Sequence, residues 1–231
     1  MRVPLANFLA SGVLALREKL GPILWQFPPR MAWDPERFEA FFSLLPRSTA
    51  AALKLAREHD DNVAGQAWLH TGGRRRIRHA VEVRHDSFAD PAFIAQLRRH
   101  GIALVVADTA KRWPLLEDLT ADFVYLRLHG DKELYASGYS RQALARWAER
   151  IAAWRKGRQV RDARLASKVA AKRGAREGFC YFDNDIKVHA PYDAAHLARA
   201  LDLPTRLEEG ARDRFALPAE ISLRPARKKR A

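Results

Sequence analysis

The chain has 231 residues, of which 48% are hydrophobic and 29% charged, a balance that supports a packed core and excludes a disordered or fibrous protein. Its net charge of +14 raises polynucleotide binding, yet 31 of the 41 basic residues are arginine, a skew that a GC-rich genome produces equally well. No run of about 18 apolar residues offers a membrane span, and the single cysteine, Cys180, excludes an internal disulfide framework and fits a reducing cytoplasm.

In chain order, Leu9, Val13, Leu16 and Leu20 stand at helical spacing and Gly21-Pro22 ends the pattern. Arg17, Glu18 and Lys19 follow the apolar stretch without an A-x-A cleavage site, so the segment reads as a soluble amphipathic helix rather than a signal peptide. Five short apolar runs then read as buried strands: Ile23–Phe27, Ala80–His85, Ile102–Asp108, Phe123–His129 and Phe179–Asp183. Helical patterns follow them at Pro35–Leu45, Pro91–His100, Arg141–Arg155 and Tyr192–Leu201, with only a short helical turn expected within Lys111–Leu119. Strands alternating with helices at this rhythm predict parallel βαβ units. Two insertions interrupt it. Residues 47–79 hold a helix at Thr49–His59 and a Gly-Arg-rich loop, and residues 156–177 are basic, Ala-rich and expected to be helical or mobile. The expected organisation is one barrel-type domain over residues 1–205 followed by a basic, disordered tail at 206–231.

Polar residues gather at the C-terminal ends of these strands: Gln26; then Glu82, Arg84 and His85; Asp108; Arg127 and His129; and Asp183, Asn184 and Asp185. In parallel α/β barrels that face carries the chemistry. Strand alternation turns Val81 and Val83 toward the helices, so Glu82 and Arg84 point inward; Val124, Leu126 and Leu128 likewise leave Tyr125, Arg127 and His129 inside. Charges so placed need partners. One reading is an ion network that sets strand register, with Glu82 against Arg84 or Arg127. A second is an anion- or hydroxyl-binding pocket, with Glu82 or His129 as acid/base and the arginines gripping a carboxylate or phosphate. A third is a metal site on Glu82, Asp108, His129 and Asp183 or Asp185, although no H-x-H or E-x-x-H pair supplies ligand spacing. In the loop "HGDKELYASGYS", Tyr135 and Tyr139 can cover a ligand or simply pack. Trp33, Trp113, Trp147 and Trp154 read as packing residues, and Cys180 as an inert buried thiol.

The runs "LGPILWQFPP", "VEVRHDSF", "YLRLHG" with "YASGYS", and "CYFDND", in this order, resemble the YecE-like family (domain of unknown function 72) over about residues 5–203. The resemblance implies a TIM-barrel-like α/β fold and no established reaction. The matching residues are Gln26, Pro28, Glu82, Arg84, His85, Asp108, Arg127, His129, Gly130, Tyr135, Tyr139, Phe182, Asn184 and Asp185. Set against the family pattern, three strand–helix units are expected ahead of the first strand, and Asp193 stands where Asn is usual. The expectation is therefore an open, incomplete barrel of about five strand–helix units, with sheet edges free to oligomerise. The preferred function is binding of a small anionic or polar ligand, with hydrolase or lyase chemistry. Its ligand contacts would be Gln26, Arg84, His85, Asp108, Arg127, Tyr135, Tyr139, Asn184 and Asp185, its acid/base groups Glu82 and His129, and its cofactor is unknown. The alternatives are a nucleic-acid-associated protein using the Arg-rich loops and tail, and an inactive fragment or misassigned gene start.

Overall fold

The computed structural model describes residues 1–205, and the expected basic tail lies outside them. Five parallel strands, β1 (Ile23–Gln26), β2 (His79–Glu82), β3 (Ala103–Asp108), β4 (Phe123–Leu128) and β5 (Glu177–Phe182), lie side by side in chain order. Helices α1 (Arg2–Ala10), α2 (Pro35–Leu44), α3 (Thr49–Ala56), α4 (Pro91–His100), α5 (Arg141–Arg155) and α6 (His189–Ala200) surround them. The helices begin where local chemistry starts them. Asp34 and Asp90 accept from Arg37 N and Ala92 N, each with a proline directly after, and Ser48 and Ser140 accept from Ala51 N and Ala143 N. Gly101, at φ 58°, closes α4 behind Arg98, Arg99 and His100.

The sheet curls. Gln26 of β1 and Arg127 of β4 are hydrogen-bonded at 3.0 Å, and Arg78, just before β2, reaches Glu177 of β5 at 2.5 Å. A flat sheet would hold β1 and β4 about 14 Å apart at the usual strand spacing. The result is a half-barrel, an incomplete version of a TIM-barrel-like fold. Its concave face packs Ala80, Ala103, Val105, Ala107, Phe123 and Tyr125, the small residues of β2 and β3 making room for the rings of β4. The convex face packs in two clusters: Val81, Val83, Phe38, Phe42, Phe88 and Phe93 on the β1–β3 side, and Val124, Leu126, Leu128, Trp147, Ile151 and Trp154 on the β4–β5 side.

Three expectations are corrected. The opening helix stops at Ala10, because Gly12 at φ 104° breaks it, and residues Val13–Lys19 are 3-10 turns that leave Leu16 exposed. No helical turn forms over 111–119. Ala110 and Lys111 both sit at positive φ, and Pro114 lacks an N–H to continue a helix. Residues 156–176 are neither a helix nor loose. They cross the convex face as an irregular strap pinned by buried Asp118, which accepts from Ala166 N and Ser167 N at 2.8 and 3.0 Å, and by buried Glu117, which bonds Arg150 and Arg164 N.

Candidate functional site at the C-terminal rim

Register places Gln26 beside Glu82, and Arg127 level with Ala107 and Tyr181. The alternation argument holds: Val81 and Val83 are in the convex core, so Glu82 and Arg84 enter the concave side, as do Arg127 and His129. Glu82 is fully buried and has each oxygen occupied, Oε1 by Arg84 Nε at 2.8 Å and Oε2 by Arg127 Nη1 at 2.6 Å. Gln26 Oε1 accepts from both arginines, at 2.8 and 3.0 Å, and Arg127 continues to Asp183 at 2.5 Å. Two carboxylates and two guanidiniums thus cancel. Burial opposes the Arg127 charge, but its bond to Glu82 and the fields of Glu82 and Asp183 outweigh that, and its pKa is raised.

His129, fully buried, completes this row. Its Nδ1 lies 3.0 Å from Asp183 Oδ2 but off hydrogen-bond geometry, and neither ring nitrogen has a hydrogen-bond partner. Burial, reinforced by the Arg127 charge, pushes its pKa down against the pull of Glu82 and Asp183, so the imidazole is neutral at pH 7. Tyr135 closes over it, edge-on at 5.3 Å, with its own N–H on the His129 carbonyl and a φ of 62°. Gly130 makes this turn at φ 130°; a Cβ there would stand 2.3 Å from the Glu133 carbonyl.

The remaining expected site residues lie elsewhere. Asp108 follows inward Ala107 and so faces α5, where the Tyr139 hydroxyl donates to it at 3.2 Å while accepting from Gly130 N. Burial raises the Asp108 pKa and, more strongly, that of Tyr139, which is a buried packing residue. Asn184 donates to Ser137 O and to Asp193, anchoring the 130–139 loop to α6; Asp193 also accepts from Tyr139 N. His85 is turned away to cap the turn at Asp86–Phe88, accepting from Ser87 N, and Asp185 is exposed. The rim therefore gathers Gln26, Glu82, Arg84, Arg127, His129 and Tyr135, but not His85, Asp108, Tyr139, Asn184 or Asp185. Two members stood outside the expected ligand contacts: Asp183, named from the sequence only as a strand-end residue and possible metal ligand, and Trp113. Asp183 shares the inward parity of Phe179 and Tyr181, a signal available in the sequence. Trp113, read there as packing, lies 3.9 Å under the Arg84 guanidinium, a contact that no local pattern announces. Among the described residues no three His, Cys, Asp or Glu side chains are grouped so as to hold a metal ion, and Asp108 and Asp185 lie away from Glu82 and His129.

The family model "Protein of unknown function DUF72" matches residues 2–214. This chain belongs to the DUF72 family. Solved structures agree in fold: a DUF72 family protein of Thermotoga maritima superposes with a TM-score of 0.60 at 21% identity, covering 86% of this chain and 64% of the other. A DUF72 family protein of Enterococcus faecalis does so at 0.55 and 17% identity, over 90% of this chain and 70% of the other. The chain thus spans less than two thirds of the Thermotoga DUF72 protein. No curated protein matches it. No helix among the described residues is long and apolar enough to cross a membrane.

Proposed function

We propose that this DUF72 chain acts on a small polar or anionic molecule at the C-terminal rim, by proton transfer of hydrolase or lyase type. One observation carries the reading. His129 is a neutral, fully buried imidazole at a strand end, its Nδ1 3.0 Å from Asp183 and its Nε2 satisfied by no protein group. A buried polar atom without a partner is costly unless a ligand or water supplies one. His129 is then the proton-transfer group and Asp183 its orienting partner. Glu82 moves from the acid/base role to that of an anchor, because both its oxygens are held by arginines. Arg84 and Arg127 form a fixed polar wall against which a ligand hydroxyl or carboxylate can rest. Tyr135 is the cover that must swing aside, on a loop whose backbone strain favours a second position. The free edges of β1 and β5 are where further strands, or a second copy, would complete the wall.

The test is histidine NMR on the intact chain during titration with a panel of small carboxylates and phosphomonoesters. A ligand at the rim shifts the His129 Nε2 resonance, and His129→Gln abolishes binding while leaving the urea midpoint in place. A panel that binds the His129→Gln chain as well as the wild type would remove His129 from the site.

A further inference from the structure

At the opposite end of the strands, the chain before β4 and β5, the C-terminus of α4 and the strap enclose a cleft of about 670 Å³. The basic insertion at 156–177 supplies five of the cations at its rim, and α4 supplies Arg98. Six cations line it, Arg98, Lys156, Arg158, Lys168, Arg173 and Arg176, and no carboxylate does. Lys156, Arg158, Lys168 and Arg173 are exposed, and no ion pair holds any of them among the described residues. The other two are fixed in place by carbonyl oxygens and make no ion pair among the described residues, although Arg98 feels Asp118 and Arg176 feels Asp122. Arg98 donates to Leu119 O and Val169 O at 3.3 and 3.0 Å. Arg176, only 8% exposed, donates to Ala121 O, Gly174 O and Lys172 O at 3.0, 3.1 and 2.6 Å. Burial lowers the Arg176 pKa, and the charge of Arg98 adds to this against Asp122. Asp122 itself is already committed to Arg76 through two hydrogen bonds. Between the cations the floor is apolar, with Leu165 48% and Val169 70% exposed.

Buried or crowded positive charge with no counter-charge is unfavourable, and an anion bound there relieves it. One phosphoryl group brings about two negative charges at neutral pH, too few for six cations. The volume lies within the range of small-molecule sites, and the exposed Leu and Val favour a ligand with an apolar body. We infer that this cleft binds a small organic polyphosphate of the nucleoside diphosphate or triphosphate class. It lies about 20 Å from the rim, given six-residue strands, and does not depend on the reading of His129.

Calorimetry of the whole chain at low salt decides it, with ADP, inorganic pyrophosphate and a short single-stranded oligonucleotide as separate probes. ADP and pyrophosphate should both bind, ADP more tightly through its apolar part. The K168Q/R173Q double variant should weaken each by about tenfold or more. K111Q/R112Q, which removes two cations after the far end of β3, should leave binding unchanged. Arg158→Gln repeats the test at the start of the strap, away from the Asp118 anchor, should the double variant shift the urea midpoint. Absence of ADP binding to the wild type overturns the proposal. So does equal weakening by both double variants, which marks a diffuse charge effect, or oligonucleotide binding that neither ADP nor pyrophosphate displaces.

Discussion

The two ends of the half-barrel use arginine in opposite ways. At the C-terminal rim Arg84 and Arg127 are spent on Glu82, Asp183 and Gln26, and the group closes upon itself. At the N-terminal end Arg98 and Arg176 are hydrogen-bonded to carbonyl oxygens, and no carboxylate lines the cleft around them. A carbonyl orients a guanidinium without cancelling its charge. The first arrangement ties the ends of the strands together through side chains and leaves His129 without a hydrogen-bond partner; the second leaves positive charge to be met from outside.

The contrast can be broken most directly at Glu82. Replacing Glu82 by Ala leaves the largely buried Arg84 without a carboxylate and Arg127 with Asp183 alone, and should cost about 3–5 kcal/mol in urea unfolding. The triple change Glu82→Gln, Arg84→Met, Arg127→Met should cost less than the single one. A single-variant loss below about 1 kcal/mol would mean that the network does not hold the register.

The next effect is acid sensitivity. His79 accepts from Trp25 Nε1 on Nδ1 and meets Pro46 O through Nε2, which fits a neutral ring, and burial lowers its pKa to about 4. His129 is lowered by burial too. A histidine with a depressed folded pKa takes up its proton more readily when unfolded. Stability is therefore full above the ordinary histidine value near 6.5 and falls as the pH drops toward 4, by about 3 kcal/mol for His79. The buried carboxyls Asp108 and Asp118, whose pKa values burial raises, act with the opposite sign, so their contribution fades as the pH rises past the usual carboxylate range. Urea midpoints from pH 7.5 to 4.5 should decline, and His79→Gln should flatten the curve. A flat wild-type profile would contradict both histidine assignments.

Gly130→Ala is third. A methyl group 2.3 Å from the Glu133 carbonyl, at φ 130°, should cost about 1–3 kcal/mol and release Tyr135 from His129. Ring-current shifts at His129 would report the release, and an unchanged His129 spectrum would show that Tyr135 is held by something other than this turn. The smallest effect belongs to the cationic cleft. K168Q/R173Q should change stability by no more than about 0.5 kcal/mol in the ligand-free chain, because these side chains have no partner to lose. A large loss would reveal a structural role for the strap cations.

Much of this architecture was legible in the residues. Apolar runs separated by capped helices determined the parallel order of β1 to β5, and α4 and α5 fall on the expected boundaries because Asp90-Pro91, Gly101 and Ser140 act locally. Alternation along β2 and β4 alone determined that Glu82, Arg84, Arg127 and His129 share the concave side. The absence of helix at 111–119 and 156–176 was not legible there. Positive φ at the non-glycine residues Ala110 and Lys111 has no local signal, and the bonds of the strap to Asp118 join segments 48 and 49 residues apart. Tertiary structure also sorted the rim, turning Asp108 outward, His85 into a cap and Asn184 toward α6, while bringing Asp183 and Trp113 in. Periodicity reports which face a side chain occupies, since that depends on its own backbone. Which partner neutralises it depends on how far the sheet curls, and that is a property of all five strands together.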